Sequence, residues 1–274
     1  MDQESSNSNA KRELHYRGPA LDEAIREGQF FLVYQPTIDL QTNAFAGVEA
    51  LLRWRHPELG VLSPDTFIDE LESSGQIVPV GRWTLQTACA QGAAWHDRGY
   101  RFSVSVNVSQ QQFESSTFFD DVADALFSSR FDPSLLVLEF AQATLMVDRG
   151  ASGSRLTKLR TLGVRFAVDD FEPGDSALDE LEEFPIDIVK LDREFIAGLA
   201  SSSDASTLVH RLVESSETRH LQVIAAGVED SEQRAQLQNE KVHVGQGYLF
   251  SRPHEAEEID RFLEDFAIFS GKPL

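Results

Sequence analysis

From residue 30 onward the chain alternates short apolar runs with longer stretches whose apolar residues recur every three or four positions. The short runs, rich in Val, Ile and Phe, fall at residues 30–35, 46–54, 102–108, 135–140, 164–168, 186–191, 221–225 and 242–250. Their length and branched or aromatic content predict strands. Helical spacing predicts helices over 64–73, 81–97, 111–128, 154–162, 177–183, 205–218 and 231–239, with a closing helix over 255–269. Residues that favour helix starts stand where these stretches begin, as in Ser63-Pro64 and at Ser109.

Eight strands alternating with helices predict an α/β fold of the TIM-like (β/α)8 barrel type. One connection breaks the pattern. Residues 36–45 are too few for a helical crossover, so the first strand must run antiparallel to the second. No Pro/Gly/Ser-rich break follows, and the expected organisation is one barrel domain over 18–274. The polar, aperiodic residues 1–17 are expected to form a flexible tail.

Charge and composition narrow the chemistry. The 274 residues carry a formal net charge of −21. Such a surface repels nucleic-acid polymers and anionic membranes. The single cysteine, Cys89, excludes an internal disulfide and a cysteine-based zinc cluster. No apolar run reaches the roughly 18 residues of a membrane-spanning helix, and the polar first residues do not make a signal-peptide core. A soluble cytoplasmic protein is the expectation.

In a barrel of this kind the functional side chains lie at the C-terminal strand ends. Those positions, and the residues just after them, hold Glu49, Asn107, Glu139, Asp169 with Asp170, Lys190, Glu229 and Gln246. Taken singly, each has an ordinary reading: a helix cap, a solvated loop charge, a lysine whose stem covers an edge. Together, Lys190 apart, they put oxygen ligands at the ends of successive strands amid apolar runs, and carboxylates brought together in that way need cations. Carboxylates and an amide carbonyl, without Cys or clustered His, suit Mg2+ or Mn2+. An Asp-Asp pair suits two metals clamping a phosphodiester, with Lys190 orienting water and Arg53 binding a phosphate oxygen.

Longer stretches carry a family resemblance. Tyr34-Gln35-Pro36, Glu49-Ala50-Leu51-Leu52-Arg53-Trp54, His56-Pro57, Val106-Asn107-Val108-Ser109, Leu138-Glu139, Asp169-Asp170-Phe171, Val189-Lys190-Leu191-Asp192, Gly227-Val228-Glu229 and Gln246-Gly247-Tyr248-Leu249-Phe250-Ser251 follow one another in the order and spacing of the EAL domain. The chain resembles that family, the cyclic di-GMP phosphodiesterases, from about residue 21 to residue 262. The resemblance implies that Glu49, Asn107, Glu139 and Asp169 hold a first metal and that Asp170 holds a second. It implies catalytic roles for Lys190 and Glu229, with Gln35, Leu51, Arg53, Asp170 and Gln246 contacting cyclic di-GMP.

The departures bear on activity. Ala226 stands where the family pattern has a glutamate of the second metal site, and Gln142 replaces a glutamate that holds the loop after the Asp-Asp pair. That loop is itself rewritten, with Glu172 and Pro173 in place of a Gly-Thr pair. The expected function is binding of cyclic di-GMP at the C-terminal face with hydrolysis lost or strongly impaired. Two alternatives stand beside it: a slow metal-dependent phosphodiesterase yielding pGpG, and a non-binding scaffold for a protein partner, which the acidic segment 172–175 suits. The resemblance further implies a homodimer through the region of that loop.

Overall fold

The computed structural model describes residues 19–171, 173, 178–199 and 203–270. The expected tail, residues 1–17, lies outside the described residues, as does the rewritten loop apart from Pro173. In chain order the elements are α1 (Pro19–Arg26), β1 (Phe30–Asp39), β2 (Phe45–His56), β3 (Gly60–Leu62), α2 (Ile68–Ser73), α3 (Ile77–Asp97), β4 (Ser103–Asn107), α4 (Gln110–Glu114) and α5 (Phe118–Ser129). There follow β5 (Leu136–Ala141), α6 (Gln142–Met146), α7 (Arg149–Arg160), β6 (Arg165–Phe171), β7 (Ile188–Leu191), α8 (Arg193–Gly198), α9 (Ser203–Thr218), β8 (Gln222–Ala225), α10 (Ser231–Asn239), β9 (Val244–Gln246) and α11 (Ala256–Ser270).

Eight strands close into a barrel in the order β1-β9-β8-β7-β6-β5-β4-β2, with β1 pairing back onto β2. Strand β1 is antiparallel to both its neighbours, whereas the pairs from β2 round to β9 are parallel. The expected TIM-like barrel with a reversed first strand is borne out. The reversal is made by a tight turn in which the Asp39 carboxylate accepts from the backbone N–H of Gln41 (3.0 Å) and Thr42 (2.7 Å). Asn43 adopts the left-handed φ of 58° that the turn requires.

Several predicted boundaries are corrected. The helix expected over 111–128 is two helices, α4 and α5, because Ser115 is extended and its hydroxyl engages Thr117, 3.1 Å away. The strand expected over 242–250 ends at Gln246. There Gly247 lies against the backbone of Val228, whose N–H bonds to the Gln246 carbonyl at 2.9 Å. Of the helix expected over 177–183, the described residues form only a 3-10 turn, Asp179–Leu181. Strand β3 and helices α1, α6 and α8 were not expected. Strand β3 arises because His56 Nδ1 accepts from the N–H groups of Glu58 and Leu59, folding residues 56–60 into a turn that ends at Gly60 (φ 76°).

Strand alternation sorts the side chains into two cores. Leu138, Phe140, Phe166, Val168, Val189 and Val223 face outward into the helix layer. Val137, Ala167, Ile188, Ile224 and Val244 form a small apolar cluster of their own inside the barrel. Counting two residues onward along each strand gives Glu139, Asp169, Lys190, Ala226 and Gln246. The apolar layer is therefore the floor on which the next layer rests, and that layer is polar.

Candidate metal and ligand site

Lys190 stands at the centre of the polar layer. Its Nζ lies 2.6 Å from Glu139 Oε2, 3.1 Å from Glu49 Oε2 and 3.1 Å from Asp169 Oδ2. Glu49, Glu139 and Lys190 are all buried. Glu49 is further held by Gln246 Nε2, which donates to Oε2 at 2.7 Å, and by Asn107 Nδ2, which donates to Oε1 at 2.6 Å. Gln35 lies directly across from Glu49 in the β1–β2 pair; its Nε2 donates to the Ser251 carbonyl at 3.2 Å, and its Oε1 accepts from Gln246 at 3.3 Å.

The electrostatics follow from this packing. Burial pushes the Glu49 carboxyl up, but the Lys190 charge and the bonds from Gln246 and Asn107 outweigh it and hold the group below its ordinary range. Glu139 has fewer donors. Burial, only partly opposed by Lys190 and reinforced by Glu49 and Asp169, pushes its carboxyl up to about 8. Burial alone would lower Lys190, yet Asp169, Glu139 and Glu49 keep the ammonium protonated well above its ordinary range.

Asp169 and Asp170 owe their placement to an irregularity. Between the pairs Val168↔Val189 and Phe171↔Leu191, β6 advances three residues while β7 advances two. The extra residue is a bulge, with Asp170 at φ 52°. The bulge lets consecutive carboxylates line the same space, and Asp169 Oδ1 accepts from the Asp170 N–H at 3.0 Å. Burial, then the adjoining Asp169, raises the Asp170 carboxyl above its ordinary range.

Two cavities open here. One, of about 220 Å3, is lined by Gln35, Glu49, Asp169, Asp170, Lys190, Arg193, Ala226, Gly227, Glu229, Gln246, Gly247 and Tyr248. The other, of about 280 Å3, adjoins it through Asp169 and Asp170 and has apolar walls from Leu51, Leu52, Ile68, Ile77 and Val80, with Asn107 and Glu139 also reaching it. Of the residues expected to function, Gln35, Glu49, Asp169, Asp170, Lys190, Glu229 and Gln246 meet in the first cavity, and Leu51 and Asn107 in the second. Arg53 lines neither, and its guanidinium donates to the Leu52 carbonyl at 2.7 Å. Glu229 does not join the buried cluster; its carboxylate pairs at 2.7 Å with Arg193, a residue that strand-end reasoning passed over.

The donor set fits a hard divalent cation. One carboxylate oxygen each from Glu49, Glu139 and Asp169 lie within 4.8 Å of one another, and these are the oxygen ligands that Mg2+ or Mn2+ prefers. Asp170 and Ala226 both line the first cavity as well.

Comparisons with known proteins agree with this geometry. The family model for the EAL domain matches residues 19–253. The chain is 38% identical over 245 residues to the cyclic di-GMP phosphodiesterase PA2567 of Pseudomonas aeruginosa, covering 89% of this chain and 42% of that protein. It is 37% identical over 256 residues to the bifunctional diguanylate cyclase/cyclic di-GMP phosphodiesterase MucR of the same species, covering 93% of this chain and 37% of that one. The chain thus spans about two fifths of the length of these relatives. Among solved structures, the PaMucR phosphodiesterase in complex with c-di-GMP superposes with a TM-score of 0.83 at 38% identity, over 87% of this chain and 97% of that one.

Proposed function

Because the chain belongs to the EAL domain family, we propose that it binds cyclic di-GMP at the C-terminal face of the barrel while hydrolysis is lost or strongly impaired. The observation that carries this reading is Ala226. It lines the cavity beside Asp169, Asp170 and Lys190, and its methyl group neither ligates a cation nor accepts a proton. In this reading Glu49, Asn107, Glu139 and Asp169 hold one Mg2+ or Mn2+, which when bound supplies positive charge to a phosphate oxygen.

Binding draws on ground-state contacts, whereas hydrolysis needs groups that act in the transition state, so the first outlives the second. The adjoining apolar cavity is of a size and chemistry to take a flat base against Leu51, Ile68 and Val80. In the first cavity Gln246 is tied both to Gln35 and to Glu49. A slow phosphodiesterase is the second reading. It is favoured by the intact buried group Glu49–Glu139–Asp169–Lys190.

Equilibrium dialysis against cyclic di-GMP with Mg2+ or Mn2+, resolving both chambers by chromatography, separates these readings. Intact nucleotide concentrated on the protein side is the expected result. Accumulating pGpG selects the slow enzyme, and equal intact nucleotide on both sides overturns both. In the double variant Ala226→Glu, Gln142→Glu, turnover is expected to rise by about 10²–10⁴-fold, the range that a restored acid–base or ligand group contributes. An unchanged rate would place the defect elsewhere.

A further inference from the structure

The first cavity contains two cations among its lining residues, Lys190 and Arg193. Lys190 is committed, with three buried or half-buried carboxylates around one ammonium. Arg193 is placed differently. Its only acidic partner among the described residues is Glu229, and that pair is 64% and 48% exposed. An ion pair so exposed holds its members weakly and exchanges readily for another anion.

The backbone directs Arg193 over the wall that Ala226 begins. Gly227 turns the chain at φ 75°, and a Cβ at that position would stand 2.3 Å from Arg193 Cγ and 2.9 Å from its Cβ. The arginine stem thus rests on Gly227 itself, and Arg193 and Ala226 line the same cavity. A carboxylate at position 226 would offer Arg193 a second acid. The methyl group offers none.

We propose that Arg193 binds a phosphate of the ligand, so that the Ala226 side of the site neutralises the phosphodiester with a guanidinium instead of a second cation. The inference rests on the ligand reading above. A guanidinium presents paired N–H donors matched to phosphate oxygens. A guanidinium placed there supplies the positive charge itself, so this half of the site needs no metal. Glu229 then acts as a gate on the arginine, holding it when the cavity is empty of phosphate and yielding it when phosphate arrives.

The test is the affinity of the whole chain for cyclic di-GMP, by titration calorimetry in Mg2+ and again in EDTA. Wild type is expected to bind in both, more weakly in EDTA because the cation held by Glu49, Glu139 and Asp169 is removed. Arg193→Ala is expected to lose at least tenfold, most visibly in EDTA, and Arg193→Lys to recover part of the loss. Glu229→Gln should bind more tightly than wild type, and Ala226→Glu should make binding dependent on Mg2+. Thermal unfolding of Arg193→Ala, close to that of wild type, excludes a folding defect. Wild-type affinity in Arg193→Ala in both conditions overturns the role of Arg193 and leaves the ligand reading standing. No binding by wild type in either condition overturns both.

Discussion

A lysine enclosed by three carboxylates has two roles that one substitution separates. As a charge, Lys190 keeps Glu49, Glu139 and Asp169 within reach of one another; as a donor, it satisfies one oxygen of each. Removing one partner of a buried ionic group leaves the other charges uncompensated, at a cost of about 3–5 kcal/mol. Lys190→Met is therefore expected to lower stability by about that amount in urea unfolding. Added Mg2+ should restore part of it by supplying the missing charge. An unchanged midpoint would show that the ammonium does not hold the cluster.

Most of this cluster is legible in the sequence, because residues two apart share a strand face and the strand ends converge in a barrel. Arg193 was not legible. It follows the strand end by two residues, and its approach to the site depends on a glycine turn 34 residues later, at Gly227, which no periodicity announces. Nor could spacing show that Glu229 would face Arg193 in place of the buried carboxylates.

Among the elements, the irregular ones position the chemistry. The β6 bulge at Asp170 and the end of β9 at Gly247 are both departures from regular pairing, and both border the first cavity. At Gly247 an added Cβ would stand 2.1 Å from the Val228 carbonyl oxygen, a rigid backbone atom. Gly247→Ala is expected to destabilise the chain by about 2 kcal/mol or more, as overpacking does. It should also weaken ligand binding, because Gln246, which holds Glu49, is its neighbour. Urea unfolding and calorimetry of the same variant check both; wild-type values in each would mean that the strand end yields without strain. Regular strands and helices were read with small errors, since the apolar periods that define them are local. The division of α4 from α5 depends on a single extended residue, Ser115, and on the hydroxyl contact beside it, so periodicity ran through it.

For the molecule as a whole, the net charge of −21 is a standing repulsion that folding concentrates. Raising NaCl from about 0.05 to 0.5 M screens it, and the thermal midpoint is expected to rise by several degrees. A falling midpoint would indicate that surface ion pairs dominate instead.

At alkaline pH a buried thiol sets a second dependence. Burial raises Cys89 from 9.0 to about 12, and Tyr34 shifts in the same direction. Above about pH 9 the unfolded chain releases a proton that the folded chain keeps, so stability is intact below that pH and falls as pH rises toward 12. Over the same window Cys89 should react with a thiol reagent only as fast as the chain unfolds. Rapid labelling of the native protein would contradict its burial.

The reversal of β1 has a mechanical consequence. In a barrel whose strands all run one way, the chain joins at the face opposite the functional site. Here β1 starts beside the C-terminal end of β2, with Phe30 across from Trp54, so the backbone joins the barrel on the functional side. Helix α1, just upstream, seats Leu21 and Ala24 against Trp54, Phe67, Ile77 and Val80. Ile77 and Val80 are also the wall of the apolar cavity. A pull or twist delivered along the backbone from its N-terminal side therefore reaches the wall of the site through one layer of side chains. The reversed strand makes α1 a lever whose short arm is the pocket.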